Sequence, residues 1–276
     1  MLDLAIGPYS GKCTGEHALL RQLLHVFSPG DVALGDCYYA SFFLIATLMK
    51  IGVDAVFPMH AARDSDFRRG KRLGKKDHIV QWKKPVRPKW MEPETYEQFP
   101  ETIAVREVAV SAGRKGFRPK TKILVTTFLD AGEHAKEDLA TLYDCRWFVE
   151  ISLCSIKETM CMGTLRAKTP EMVRKEMWAH LLAYNLVRKL MAQSAGQYGK
   201  IPRCLSFKCA LQFIFAFCQA GHLSETDQAY EHLLKAISRK AVGNRPGRSE
   251  PRMIKRRPKA FPRMQRPRSF YHQEAA

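Results

Sequence analysis

Four residues in one stretch of the chain are of types that do chemistry together. Tyr143, Arg146, Glu150 and Lys157 stand at i, i+3, i+7 and i+14. On a helix turning about 100° per residue they fall at about 0°, −60°, −20° and −40°, one narrow arc. An apolar stripe at that spacing would be core. A carboxylate flanked by two cations and a phenol is not such a stripe. A fifth residue, Asp36, follows the apolar stretch VALG, where an α/β strand delivers a carboxylate to the ligand-binding end of a sheet. The plainer readings are a cap or turn for Asp36 and a surface ion pair for Arg146 and Glu150, worth about 0.3 kcal/mol. Trp147 reads equally as a stacking platform or as core.

These side chains need elements to position them. LDLAI at 2–6 reads as a strand ended by Gly7-Pro8, and a helical pattern runs from Thr14 to Leu24. A strand at Val32–Leu34, a helix from about Tyr39 to Lys50 and a strand from Val53 to Met59 complete a β-α-β-α-β alternation, which predicts an α/β sheet covered by helices. Residues 61–129 change rhythm. His78–Trp82, Ile103–Val110 and Lys122–Phe128 read as strands, with no strong helix among them. From Lys136 the chain is helical: one helix from about Glu137 to Met160, a second capped by Thr169 with Pro170 in its first turn, and two more near 205–219 and 224–240, the last capped by Ser224.

The charge narrows the function classes. The 276 residues carry 45 Lys and Arg against 27 Asp and Glu, a formal net charge of +18. From Arg63 to Lys89 there are 11 Lys and Arg against three Asp, and from Arg239 to Arg268 there are 12 against one Glu. The remainder is near neutral, so two basic segments carry the excess. That favours a polyanionic partner, nucleic acid first, over a merely soluble basic protein. Residues 243–276 are Pro-rich and read as an extended tail making salt-dependent phosphate contacts. There is no apolar run of the ~18 residues a membrane helix needs, and no basic-then-apolar leader pattern at the start. The eight cysteines form no CxxC pair and read as reduced thiols. Cys204, Cys209 and Cys218 read as buried thiols rather than a zinc cluster.

The segment Y143-xx-R146-xxx-E150-xxxxxx-K157 resembles the Y-R-E-K signature of bacterial insertion-sequence transposases of the DDE class. GDCYYASF around Asp36 resembles the second-aspartate motif of that family. DFRRGKRLGKKDHIVQWKKP, TPEMVRKEMWAHLLAYNLVRKLM and GRSEPRMIKRRPK are similar to members of the same branch, so the likeness runs from Leu2 to about Lys259. It implies a ribonuclease H-like mixed sheet with a β-rich insertion. The implied layout is core at 1–60, insertion at 61–129, core completed at 130–195, C-terminal helices at 196–242 and basic tail at 243–276. It implies Asp36 and Glu150 as catalytic carboxylates holding two Mg2+ ions, which Mn2+ can replace. Tyr143, Arg146 and Lys157, with Arg68, Arg69, Lys71, Arg72, Lys255, Arg256 and Arg257, would contact double-stranded DNA. The implied activity is metal-dependent strand cleavage and transfer at insertion-sequence ends and target DNA, by a cytoplasmic, nucleoid-associated protein acting as a homodimer or with a full-length transposase.

The family pattern has three acidic residues, and the first would fall upstream of Met1. Asp3, Asp54 and Asp64 are poor substitutes for it. Cys37, Cys145 and Cys154 stand where arginine or another polar residue is usual. The expectation is therefore a truncated copy, with a catalytically inactive DNA-binding remnant or inhibitor as the alternative.

Overall fold

The computed structural model describes residues 3–8, 10–11, 14–112, 120–219 and 227–242. Its centre is one six-stranded mixed sheet. Strands β1 (Val32–Leu34) and β2 (Asp54–Pro58) run parallel, with Leu34 opposite Val56. Helix α2 (Phe42–Lys50) crosses between them and buries Phe42, Leu44, Ile45, Ala46 and Leu48. Gly52 closes this helix at φ 73°, a left-handed conformation that side chains with a Cβ rarely adopt. β2 is buried on both faces through Ala55, Val56 and Phe57, which is why it reads as a continuous apolar run rather than an alternation.

The remaining strands extend the same sheet. β3 (Lys71–Gly74), β4 (Asp77–Lys83), β5 (Thr102–Ala112) and β6 (Lys120–Thr126) pair antiparallel, and β6 docks on β2 with Phe57 opposite Val125. The order is β1-β2-β6-β5-β4-β3. The strands expected in 61–129 are present, joined to β1 and β2 by the β2–β6 pairing. One short helix, α3 (Pro93–Glu97), lies among them.

Each face of the sheet has its own core. On one side Ala55, Phe57, Trp82, Ile103, Val105 and Val125 pack with α2. On the other, Val56, Val108, Val110 and Leu124 pack against Leu139 and Tyr143 of α4 (Lys136–Asp144). β5 alternates strictly, so adjacent residues serve opposite faces. Arg106, 1% exposed, forms a forked pair with Asp77 at 2.8 and 2.6 Å and donates to the His134 carbonyl at 2.7 Å. Glu107 turns the other way and accepts from Trp82 Nε1 at 2.8 Å, with His78 Nε2 at 3.1 Å. Every strong polar group buried here has a partner, as burial requires.

A third core is helical. α6 (Pro170–Gln197), α7 (Phe207–Gln219) and α8 (Asp227–Ser238) enclose Tyr184, Val187, Met191, Ala195, Phe207, Leu233 and Ile237, joined by Ile156. Thr169 caps α6 as expected, accepting from Met172 N–H at 3.4 Å. Ser224 and the tail from 243 lie outside the described residues.

Three expectations are corrected. Asp3–Pro8 forms no strand: it pairs with no neighbour in the sheet, and a lone apolar segment has nowhere to place its backbone hydrogen bonds. The first helical pattern is shorter than expected, α1 (Glu16–Gln22) followed by a single 3-10 turn. The helix over 137–160 is not one helix but α4, then α5 (Trp147–Cys154), then a π-helical turn at Ser155–Thr159. Between α4 and α5 the hydrogen bonds tighten to i→i+3, as in Arg146 N–H to Tyr143 O and Val149 N–H to Arg146 O.

Candidate phosphate-facing site

Asp36 reaches the end of the sheet through a close backbone passage. A Cβ on Gly35 would sit 2.9 Å from Tyr39 and 3.0 Å from Phe57, so glycine lets β1 turn beside β2. The chain then enters a 3-10 turn, Cys37–Tyr39, which the Asp36 carboxylate caps by accepting from Tyr38 N–H at 2.8 Å. The capping role and the site role coexist, because Asp36 remains exposed and has a second oxygen.

Tyr143 is the residue that joins the two halves. It is 6% exposed in the core under α4. Burial raises its phenol pKa above the ordinary value; Arg146 opposes that rise, and the negative charge of Asp36 adds to it. Asp36 also helps to push the Tyr39 phenol up, after burial and Glu16. A residue 107 positions upstream thus acts electrostatically on Tyr143.

Arg146 follows within one turn. Its guanidinium lies 5.8 Å from the Tyr143 ring centre, and its Nη2 donates to Glu150 Oε1 at 2.8 Å. Burial works against the Arg146 charge, but Glu150 and Tyr143 outweigh it and its pKa is raised. Its Nε is buried with no hydrogen-bond partner. Nε–H and Nη2 share one edge of the guanidinium, so this edge holds a carboxylate through Nη2 while the neighbouring Nε–H is unsatisfied. Such a donor fits an incoming anionic oxygen.

The expected site residues divide into three groups. Asp36, Tyr143, Arg146 and Glu150 come together as described. Lys157 is exposed on the π-helical turn, and no hydrogen bond or ion pair among the described residues joins it to them. A 3-10 tightening before α5 and a π turn after it lie between Tyr143 and Lys157. Arg68, Arg69, Lys71 and Arg72 lie elsewhere. Arg68 and Arg69 are exposed and share Asp66 at 2.9 and 3.3 Å, and Lys71 and Arg72 lie on edge strand β3. β3 is five strand steps from β1, about 24 Å at the usual spacing. Lys255, Arg256 and Arg257 lie outside the described residues.

Other candidates resolve as well. Asp3 pairs with His25 at 3.0 Å beside Asp31 and Val32, at the opposite end of β1 from Asp36. Asp54 accepts from Thr127 Oγ1 at 2.5 Å, also at that far end. Trp147 is 54% exposed and is not core. Cys204 and Cys218 are exposed and Cys209 is half-buried, against the expectation of buried thiols. Cys204 ends a 3-10 turn, and Cys209 and Cys218 lie on α7, whose buried positions are taken by Phe207 and Ala210. Sequence reading missed Lys122, whose ammonium lies 5.3 Å from the Tyr143 ring centre. The alternation of KTKILVT, which puts Lys122 on the face of Leu124, could have found it.

Asp36 and Glu150 are hard oxygen donors of the kind magnesium takes, yet Glu150 is held by Arg146 and no cluster of three His, Cys, Asp or Glu among the described residues could hold a metal ion. Among the described residues, no helix is long and apolar enough to cross a membrane.

Comparison with known proteins fits this geometry. Residues 2–186 match the Transposase DDE domain family. The chain is 28% identical over 256 residues to the transposase InsG for insertion sequence element IS4 of Escherichia coli K12, covering 90% of this chain and 55% of that protein. It is 32% identical over 72 residues to the putative transposase InsL for element IS186A of E. coli K12 and to the transposase for element IS421 of E. coli. Those matches cover 26% of this chain and 20% and 19% of the relatives. The chain thus spans about half the length of the first relative and much less of the other two. The family match spans every residue from Asp36 to Lys157, and the chain belongs to the transposase DDE domain family.

Proposed function

We propose that this chain acts in DNA transposition, engaging duplex DNA at insertion-sequence ends. Its Asp36–Tyr143–Arg146–Glu150 site would receive the phosphate at which strands are cut and joined. The observation that carries this reading is the orphaned Arg146 Nε beside the Glu150 carboxylate and the buried Tyr143 phenol. Arg146 would grip a phosphate oxygen through a charge-assisted hydrogen bond, with Tyr143 fixing the guanidinium plane. Asp36 and Glu150 would supply two oxygen ligands to divalent ions, Mg2+ or Mn2+, whose chemistry when bound is activation of a water or DNA 3′-hydroxyl and stabilisation of the leaving oxygen. The basic residues Arg68, Arg69, Lys71 and Arg72, about 24 Å away across the sheet, would follow the backbone roughly seven base pairs along. Lys157 and the tail cations Lys255, Arg256 and Arg257 would add further phosphate contacts. We place the protein with the nucleoid, acting as a homodimer or alongside a longer transposase chain.

A second reading, a DNA-binding chain that does not cut, is favoured by one observation: no three metal-ligating groups cluster among the described residues. A nicking and binding assay separates the two, using duplex DNA bearing the element's ends, with Mg2+ or Mn2+. Under the first reading wild type nicks, and Asp36→Asn and Glu150→Gln bind without nicking. Wild type that binds without nicking supports the second. Wild type that does not bind duplex even at low salt sinks both.

A further inference from the structure

We infer that Lys122 is a further phosphate-contacting residue of this site, which rests on the reading of that site as DNA-facing. The sheet register carries the argument. β6 runs antiparallel to β2, so it starts at the end where β1 and β2 finish. Leu34 is level with Val56, and Pro58 is level with Leu124. Asp36, two residues beyond Leu34, therefore comes off the sheet at the same end as Lys122, two residues before Leu124. Two strand spacings, about 10 Å, separate their strands. Alternation puts Lys122 on the face of Leu124, which is the face that Tyr143 covers.

Tyr143 then stands between two cations, with Lys122 Nζ 5.3 Å and the Arg146 guanidinium 5.8 Å from its ring centre. The two differ in one respect. Arg146 is already held by Glu150, whereas Lys122 is exposed and forms no ion pair among the described residues. A cation left unneutralised on the Tyr143 ring that Arg146 also borders is placed to meet an anion, and the phosphate entering at Arg146 Nε is that anion. Lys122 so acts on DNA bound next to Tyr143, separately from the cations on β3.

The test uses the full chain and a short blunt DNA duplex in EDTA, with affinity measured across a salt series. Each phosphate contact contributes about 0.9 to the slope of log K against log salt. Lys122→Gln is expected to lower the slope by about 0.9, and Lys122→Arg to restore it. Lys200→Gln, at an exposed position after α6, is expected to leave it unchanged. A purely structural stacking of Lys122 on Tyr143 would move stability and not the slope. Should Lys122→Gln fail to fold, amine acylation of wild type decides: the duplex is expected to protect Lys122 several-fold. An unchanged slope in folded Lys122→Gln, or equal acylation with and without DNA, overturns the assignment while leaving wild-type DNA binding intact. Wild type that does not bind the duplex overturns the functional reading as well.

Discussion

Replacing Glu150 by Gln tests whether this carboxylate works against DNA in the absence of metal. Glu150 Oε1 lies 2.8 Å from Arg146 Nη2, and the unsatisfied Nε is the neighbouring donor on the same edge of the guanidinium. A phosphate bound there would sit beside Glu150 on the same edge, with the two oxygens splayed apart and on the order of 6 Å between charge centres. The Glu150 side chain is 41% exposed, so the dielectric is close to that of water. Two unit charges at 4 Å in water interact by about 1 kcal/mol, which scales to ~0.7 kcal/mol at this separation. That is about a threefold change in Kd. Glu150→Gln is expected to tighten duplex binding about threefold at low salt, with the salt slope nearly unchanged because the same phosphates are touched. Arg146→Ala removes the gripping donor and is expected to weaken binding about tenfold. Fluorescence anisotropy in EDTA, across a salt series, reads all three proteins. If Glu150→Gln bound DNA threefold more weakly while keeping its helical circular dichroism, the proposed phosphate position would be wrong.

Two stability predictions follow from other parts of the fold. Arg106→Met leaves the Asp77 carboxylate buried without its fork, which costs about 3–5 kcal/mol. At about 2–4 °C per kcal/mol the melting temperature should fall by roughly 6–20 °C, and Arg106→Met/Asp77→Leu should recover much of it. A single variant melting like wild type would show that the pair is not structurally important. Glu176 accepts the backbone N–H groups of Arg166 and Ala167 at 2.9–3.1 Å, and these bonds hold its carboxyl below the ordinary range. A depressed acid stabilises above the ordinary carboxylate pKa, and that stabilisation is lost as pH falls through the folded value. Hydrogen exchange at Arg166 and Ala167, corrected for intrinsic rates, is expected to speed up as acid protonates Glu176. Exchange that stays equally slow in Glu176→Gln would refute the tether.

Local periodicity determined much of this protein. The 3.6-residue repeat puts Arg146 and Glu150 within one turn, and their ion pair is present. Turn residues and apolar runs mark β1, α2 and β2, and a Thr-Pro start marks α6. Those features depend on neighbours a few residues apart, which sequence displays directly. The types of side chain available for phosphate and metal were legible in the same way.

Tertiary structure decided the rest. That Asp36 acts on Tyr143, and that Lys122 borders the same ring, follows from which strands pair and in what register. No local pattern encodes a parallel β1–β2 ladder beside an antiparallel β6. The helix break between α4 and α5 is likewise a tertiary result: Tyr143 is drawn into the sheet core while Ile156 is drawn into the helical core. Between those two anchors the backbone tightens at Arg146 and widens at Ser155–Thr159, where Lys157 lies.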